Sequence, residues 1–178
     1  MSGGLMSAFP RLFAASAALV PLLLVASAPA MAVPASTNDA GKATILKSLS
    51  VVNKSSLDFG ELVVASAGTA VIDPVTGTVT TTGTITPVGT TAHPATFTAT
   101  GSKNSVVNIK IPTAAITLTR VGGGGTMTVS NWTLDGKTNR KFPLNSAFDF
   151  NVGATLNVGA AQLDGDYTGS FNVTVQYP

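Results

Sequence analysis

The stretch Gly169-Ser170-Phe171-Asn172-Val173-Thr174-Val175-Gln176-Tyr177-Pro178 decides the fold. Phe171, Val173, Val175 and Tyr177 alternate with Ser170, Asn172, Thr174 and Gln176. Side chains along a strand point to alternate faces, so this segment is a strand with one apolar and one wettable face. Burying those four apolar side chains stabilises a fold by roughly 1.5–3 kcal/mol each.

Upstream, the same pattern recurs in shorter pieces separated by Gly, Pro, Asn and Asp, and no helix-period segment interrupts it. In residues 45–52, Ile45, Leu49 and Val51 are expected on one face, with Lys47 intruding. In residues 57–64, Leu57, Phe59 and Val63 are expected together, with Gly60 marking a bulge. Two further strands flank the turn at Asp73-Pro74-Val75-Thr76-Gly77. Phe97 anchors the next strand, then Val107, Ile109 and Ile111 share a face up to Pro112, and Ile116 and Leu118 point inward. Gly122 to Gly125 break the chain before residues 126–134, and Asp135-Gly136 turns it again. Residues 147–152 and 154–158 read as two separate strands. Some ten short strands at this spacing predict an all-β chain, an immunoglobulin-like, Greek-key β-sandwich of short antiparallel strands over residues 44–178.

The N-terminus is of another kind. Arg11 is the only charge before Asp39, and an apolar run from Leu12 to Ala28 leads to Pro29 and Ala30-Met31-Ala32. A positive start, an apolar stretch and small residues at the cut make residues 1–32 a cleavable signal peptide. The run is interrupted by Ser16, Pro21 and Ser27, and falls short of the ~20 apolar residues of a span. Residues 33–43 form a small, polar, flexible leader. The expected location is outside the cytoplasm: secreted, periplasmic or on the cell surface, with no membrane span after cleavage.

Charge and composition exclude whole classes. The net charge is only +2, from ten basic and eight acidic residues. Nucleic-acid binding normally requires a clustered basic face, so no nucleic-acid partner is expected. The absence of cysteine removes thiol chemistry and cysteine-based zinc sites, and leaves the core alone to hold the fold.

No cofactor, catalytic residue or metal ligand is expected. His93, the only histidine, reads as a solvated loop residue without spaced partners. The run Gly122–Gly125 lacks the third glycine of a dinucleotide fingerprint, having Met127 there, and strand-like residues follow where a helix is required. Gly136-Lys137-Thr138 lacks the Walker glycine, since Asn131 holds its place. Both glycine segments are expected to be hairpin loops. Asp164-Gly165-Asp166, with Gln162 nearby, offers two carboxylates for calcium, but Thr168 and Gly169 follow instead of ligands, and a plain turn is expected. Asp58 and Glu61, three apart on a strand, are expected on opposite faces. Trp132 is expected in the core.

Two segments together resemble a known family. They are Leu57-Asp58-Phe59-Gly60-Glu61-Leu62-Val63 with the following Gly68 to Gly77, and Phe150 to Gly159 closed by Gly165-Asp166-Tyr167-Thr168-Gly169-Ser170-Phe171 through Tyr177. The chain resembles the bacterial secreted family of domain of unknown function 4402 over about residues 43–178. More distantly, the layout is similar to spore-coat-U-type and chaperone–usher pilin domains. That likeness implies immunoglobulin-like subunits that polymerise by adding an N-terminal strand to a neighbour's open edge. This chain departs from those domains in lacking cysteines and in a leader with too few alternating large apolar residues for a donor. The short link between Val52 and Leu57 favours a first strand that pairs within its own chain. The expected function is that of a non-enzymatic structural or cell-surface protein of the pilin-like kind. Its expected partners are copies of itself or other appendage subunits. The alternative is a carbohydrate- or ligand-binding module that uses loops at one end of the sandwich.

Overall fold

The computed structural model describes residues 41–178; the expected signal peptide, residues 1–32, and residues 33–40 of the expected leader lie outside the described residues. The elements are β1 (Ser50–Ser55), β2 (Glu61–Val64), β3 (Gly68–Ile72), β4 (Val79–Thr81), β5 (Ile85–Val88), β6 (Ala95–Thr100) and β7 (Val106–Lys110). They continue with β8 (Ile116–Arg120), β9 (Thr126–Leu134), β10 (Asn139–Lys141), β11 (Ala147–Val158), β12 (Tyr167–Thr168) and β13 (Thr174–Gln176). All pairing is antiparallel, and the described residues contain no helix.

One large layer runs β1-β6-β11-β9-β8-β12. Its axis is β11, a twelve-residue strand paired along one edge with β9. The opposite edge serves two partners, β6 against Ala147–Val152 and β3 against Thr155–Val158. The predicted break between two strands at Gly153 is absent. That glycine answers a close approach: a Cβ there would lie 2.2 Å from the Ile72 carbonyl oxygen.

The second layer comes in two pieces, β10-β7-β13 and β2-β5. Each piece covers its own core. Val107, Ile109, Phe142 and Val175 close over Ala95, Phe97, Ala99, Phe150 and Val152 of the large layer. The Phe97 and Phe150 rings stack there at 5.4 Å. Phe59 and Ile85 close over Ala70, Ile72, Val129, Ala154, Leu156 and Val158. Leu57 and Trp132 pack against both. The chain is an antiparallel β-sandwich whose strand order skips across the sequence, as Greek-key connections do.

Several expectations need correction. Ile45 does not share a buried face with Leu49 and Val51; it is 96% exposed, and β1 begins only at Ser50. Val63 points out and Leu62 and Val64 point in, because Gly60 takes φ +70° and shifts the alternation by one residue. Gly122–Gly125 does close the β8–β9 hairpin, with Arg120 N donating to Gly125 O. The loop at Gly136 is no hairpin, since it carries the chain from β9 across to β10 in the other layer. The strands β5 and β10 were not legible. The first holds Pro87 and the second is the polar Asn139-Arg140-Lys141. Each has a single strand partner, where a proline or a polar run is tolerated.

Candidate functional site

The gap between the two pieces of the second layer opens as a cleft of about 710 Å³. Its floor is apolar and comes from three neighbouring strands: Ile116 and Leu118 of β8, Met127 and Val129 of β9, Leu156 and Val158 of β11. Trp132 and Phe171 line it as well, their rings packed on each other at 4.6 Å. The Trp132 Nε1–H donates to the Ala114 carbonyl at 3.0 Å.

One wall is the segment from Ser56 to Val64. Asp58 Oδ1 accepts from Gly60 N at 2.8 Å, which stabilises the tight turn there. Asp58 also exchanges two backbone hydrogen bonds with His93, at 3.0 and 2.8 Å. These contacts fix the wall from behind, and Leu62 and Val64 of β2 turn towards the cleft. Asp58 and Glu61 both border the cleft, Glu61 on the exposed face of β2 that it shares with Val63, opposite Leu62 and Val64.

The other wall is the loop from Gln162 to Gly169 and the chain to Phe171. Tyr167 Oη accepts from Gln162 Nε2 and donates to the Leu163 carbonyl, at 2.6 and 2.7 Å. Arg120 braces the loop by donating to the Asp164 and Gly123 carbonyls. The loop is therefore a knitted turn, with the carboxylates of Asp164 and Asp166 left exposed at the cleft. Among the described residues no three His, Cys, Asp or Glu side chains converge as metal ligands.

Among the described residues, β2 is bonded to β5 on one side and to no strand on the other. Among the same residues β13 is bonded to β7 alone, and residues 169–173 before it carry no ladder. Backbone left without a ladder partner keeps donors and acceptors that a further strand can meet.

His93 has one partner that its sequence did not announce. Its Nδ1 lies 3.2 Å from Ser55 Oγ and 3.2 Å from the Pro94 carbonyl oxygen. A protonated Nδ1 donates to the Pro94 carbonyl, and an unprotonated one accepts from Ser55 Oγ. In either tautomer the ring ties the end of β1 to the turn before β6.

The model of the family described as domain of unknown function (DUF4402) matches residues 49–177. The chain belongs to this family. No curated protein and no solved structure matches the chain. The matched residues take in all of β2 and its neighbouring turn, the three floor strands and the Gln162–Phe171 wall, so the cleft is built wholly within the family domain. No helix among the described residues is long and apolar enough to cross a membrane.

Proposed function

We propose that this family member is an exported, non-enzymatic structural protein of a bacterial surface assembly, joined to its neighbours by strand addition in the cleft. The observation that carries the reading is the interrupted second layer. Two strand edges face an apolar trough, and a sandwich leaves such edges open at the risk of aggregation unless something pairs with them. The pilin-like resemblance of the sequence points to the same physics. β1 itself is not free to be donated, because it pairs with β6 of its own chain from Ser50 to Ser55.

The alternative is a binding module for a small ligand in the same cleft, whose volume lies in the ordinary range for such sites. Against a sugar, Trp132 and Phe171 pack on each other at a 40° tilt, so the two rings do not make one flat stacking platform. A photocrosslinking residue in place of Leu118 decides between them. In exporting cells, strand addition yields covalent adducts at multiples of the subunit mass. A ligand-binding module yields only monomer.

A further inference from the structure

The two most exposed large apolar side chains among the described residues are Ile45, at 96%, and Leu144, at 78%. Far apart in the chain, they share one end of the sandwich. The Lys47 N–H donates to Ser102 Oγ, and its carbonyl accepts from Tyr177 Oη. The Gly101 N–H beside Ser102 donates to the Ser146 carbonyl, and Asn104 N donates to that of Phe142. The approach to β1, the turn after β6 and the turn before β11 are thus bonded into one surface. Ile45, two residues from Lys47, stays within about 7 Å of that anchor. Leu144 sits at the corner of the turn closed by Ser146 N and the Pro143 carbonyl, a place usually held by Asn, Asp, Ser or Gly. Leu46 is exposed beside Ile45, and Val106 is exposed opposite Lys141 in the β7–β10 ladder. Exposed apolar side chains gathered at one end, in place of single scattered ones, mark an interaction surface.

Charge says what kind of partner fits. The same surface carries Lys47, Lys103 and Lys141, all exposed. Residues 43–49, 101–106 and 141–146 contain no Asp or Glu, and Asp149, further along β11, is held by Lys54 at 2.8 Å. The low net charge of the chain therefore hides a cationic pole that only folding assembles. We propose that this end of the sandwich docks on the surface of an anionic lipid bilayer. Ile45, Leu46 and Leu144 enter the boundary between headgroups and acyl chains, and the three lysines meet lipid phosphates. Aliphatic tips ringed by cations match both layers of that surface. Lysine stems can lie along hydrocarbon while their ammonium groups stay among the headgroups. A soluble polyanion meets the lysines but leaves the aliphatic tips in water.

The docking end lies away from the cleft. It is built around Ser146, at the start of β11, whereas the cleft floor uses the other end of that strand, at Leu156 and Val158. From Ala147 to Leu156 an extended strand covers roughly 30 Å. A molecule seated on a bilayer by its lysine end therefore holds the cleft clear of the headgroups, and the inference does not depend on what fills the cleft. Each lysine near an anionic surface strengthens partition about fivefold, so three supply about a hundredfold. Burying Leu144 adds about tenfold or more.

The test uses the protein as exporting cells release it, sedimented with vesicles of phosphatidylcholine alone or mixed equally with phosphatidylglycerol. The expected result is partition onto the anionic vesicles only, weakening as salt is added. Lys47→Glu, Lys103→Glu and Lys141→Glu together should lower it about a hundredfold or more, and Leu144→Ser about tenfold. All four positions are exposed, so melting temperatures should barely move. A second readout leaves the lysines untouched. The chain has no cysteine of its own, so Leu144→Cys takes a single environment-sensitive fluorophore. Its emission should shift to the blue on anionic vesicles, while the same label on Val121→Cys, exposed at the β8–β9 hairpin, should not respond. Equal partition onto both vesicles, or partition undiminished in the triple lysine variant, would overturn the proposal. So would a label that responds at position 121 and stays silent at 144. Binding to inorganic polyphosphate that needs the lysines but ignores Leu144→Ser, with no response at 144 on vesicles, would make the partner a soluble polyanion and end the membrane reading.

Discussion

Tyr177, at the end of the last ordered strand, donates its hydroxyl proton to the carbonyl of Lys47 at 2.8 Å, 130 residues earlier in the chain. The same oxygen accepts from Ser102 N at 2.9 Å. One phenol thus holds together the approach to β1, the turn after β6 and the C-terminus. Tyr177→Phe keeps the ring in the first core and removes both bonds. The expected cost is about 1–2 kcal/mol in denaturant unfolding, since a net hydrogen bond contributes about 0.5–1.5 kcal/mol. Amide exchange should quicken at residues 43–49 more than anywhere else. An unchanged exchange rate there would show that Lys47 is anchored by other means.

Gly153 predicts a sharper effect. A Cβ there would meet the Ile72 carbonyl at 2.2 Å and Pro74 Cδ at 2.9 Å, in the middle of the axial strand. Gly153→Ala forces β3 or the following turn away from β11, and overpacking of this kind costs typically 1–3 kcal/mol or more. Gly159→Ala, where the nearest atom would be Gln162 Oε1 at 3.5 Å, serves as the control. Thermal melts of the two variants should differ by several degrees. Equal melting points would mean that the strands separate freely at that crossing.

The sequence made the apolar faces legible wherever strict alternation ran into a well-packed strand. Val107, Ile109 and Val175 are buried, and Phe171, Val173 and Tyr177 pack on the same core. It failed where one residue changed the count or the topology. Gly60 inverted the faces on either side of it, so that Leu62 and Val64, and not Val63, turn inward. Gly153 read as a break because its real constraint, the Ile72 carbonyl, lies 81 positions away in the chain. The cleft was illegible for a deeper reason. It is an unpaired edge, created by which strands fail to meet, and local pattern carries no record of that.

Acid should weaken the fold through two exposed carboxylates. Backbone hydrogen bonds from Thr76 and Val75 hold Asp73 below the ordinary carboxylate value of 3.8. The hydrogen bond from Lys54, then that from Thr98, does the same for Asp149. A carboxyl group with a depressed folded-state pKa binds fewer protons folded than unfolded. Its contribution is therefore fully present above the unfolded value and lost as pH falls through the folded one. Stability should be flat from neutral pH down to about 5 and decline below about 4. Asp73→Asn and Asp149→Asn should each shallow that decline. A decline as steep in the double variant would place the acid sensitivity elsewhere.

The crossover from β9 to β10 is pinned by Arg140, whose guanidinium bonds the Asp135 carboxylate and the Lys137 carbonyl. It also lies 5.8 and 5.9 Å from the ring centroids of Phe148 and Phe150. Both partners are mostly buried, with side chains 19% and 17% exposed. A pair so placed is costly to break from one side, because the remaining charge keeps its desolvation penalty without its partner. Asp135→Ala is expected to cost about 2–4 kcal/mol, below the full penalty of a completely buried pair. Arg140→Lys keeps the charge but loses the planar fork and the stacking on two rings, for about 1–2 kcal/mol. Arg140→Met keeps a stem on the rings and strands Asp135. Joining Arg140→Met to Asp135→Ala removes both charges, so the double variant should be more stable than the sum of the singles by more than about 1 kcal/mol. Denaturant unfolding of the four proteins closes the cycle. Strict additivity would show that the two side chains are adjacent without being coupled, and that the crossover is held by its packing on Phe148 alone.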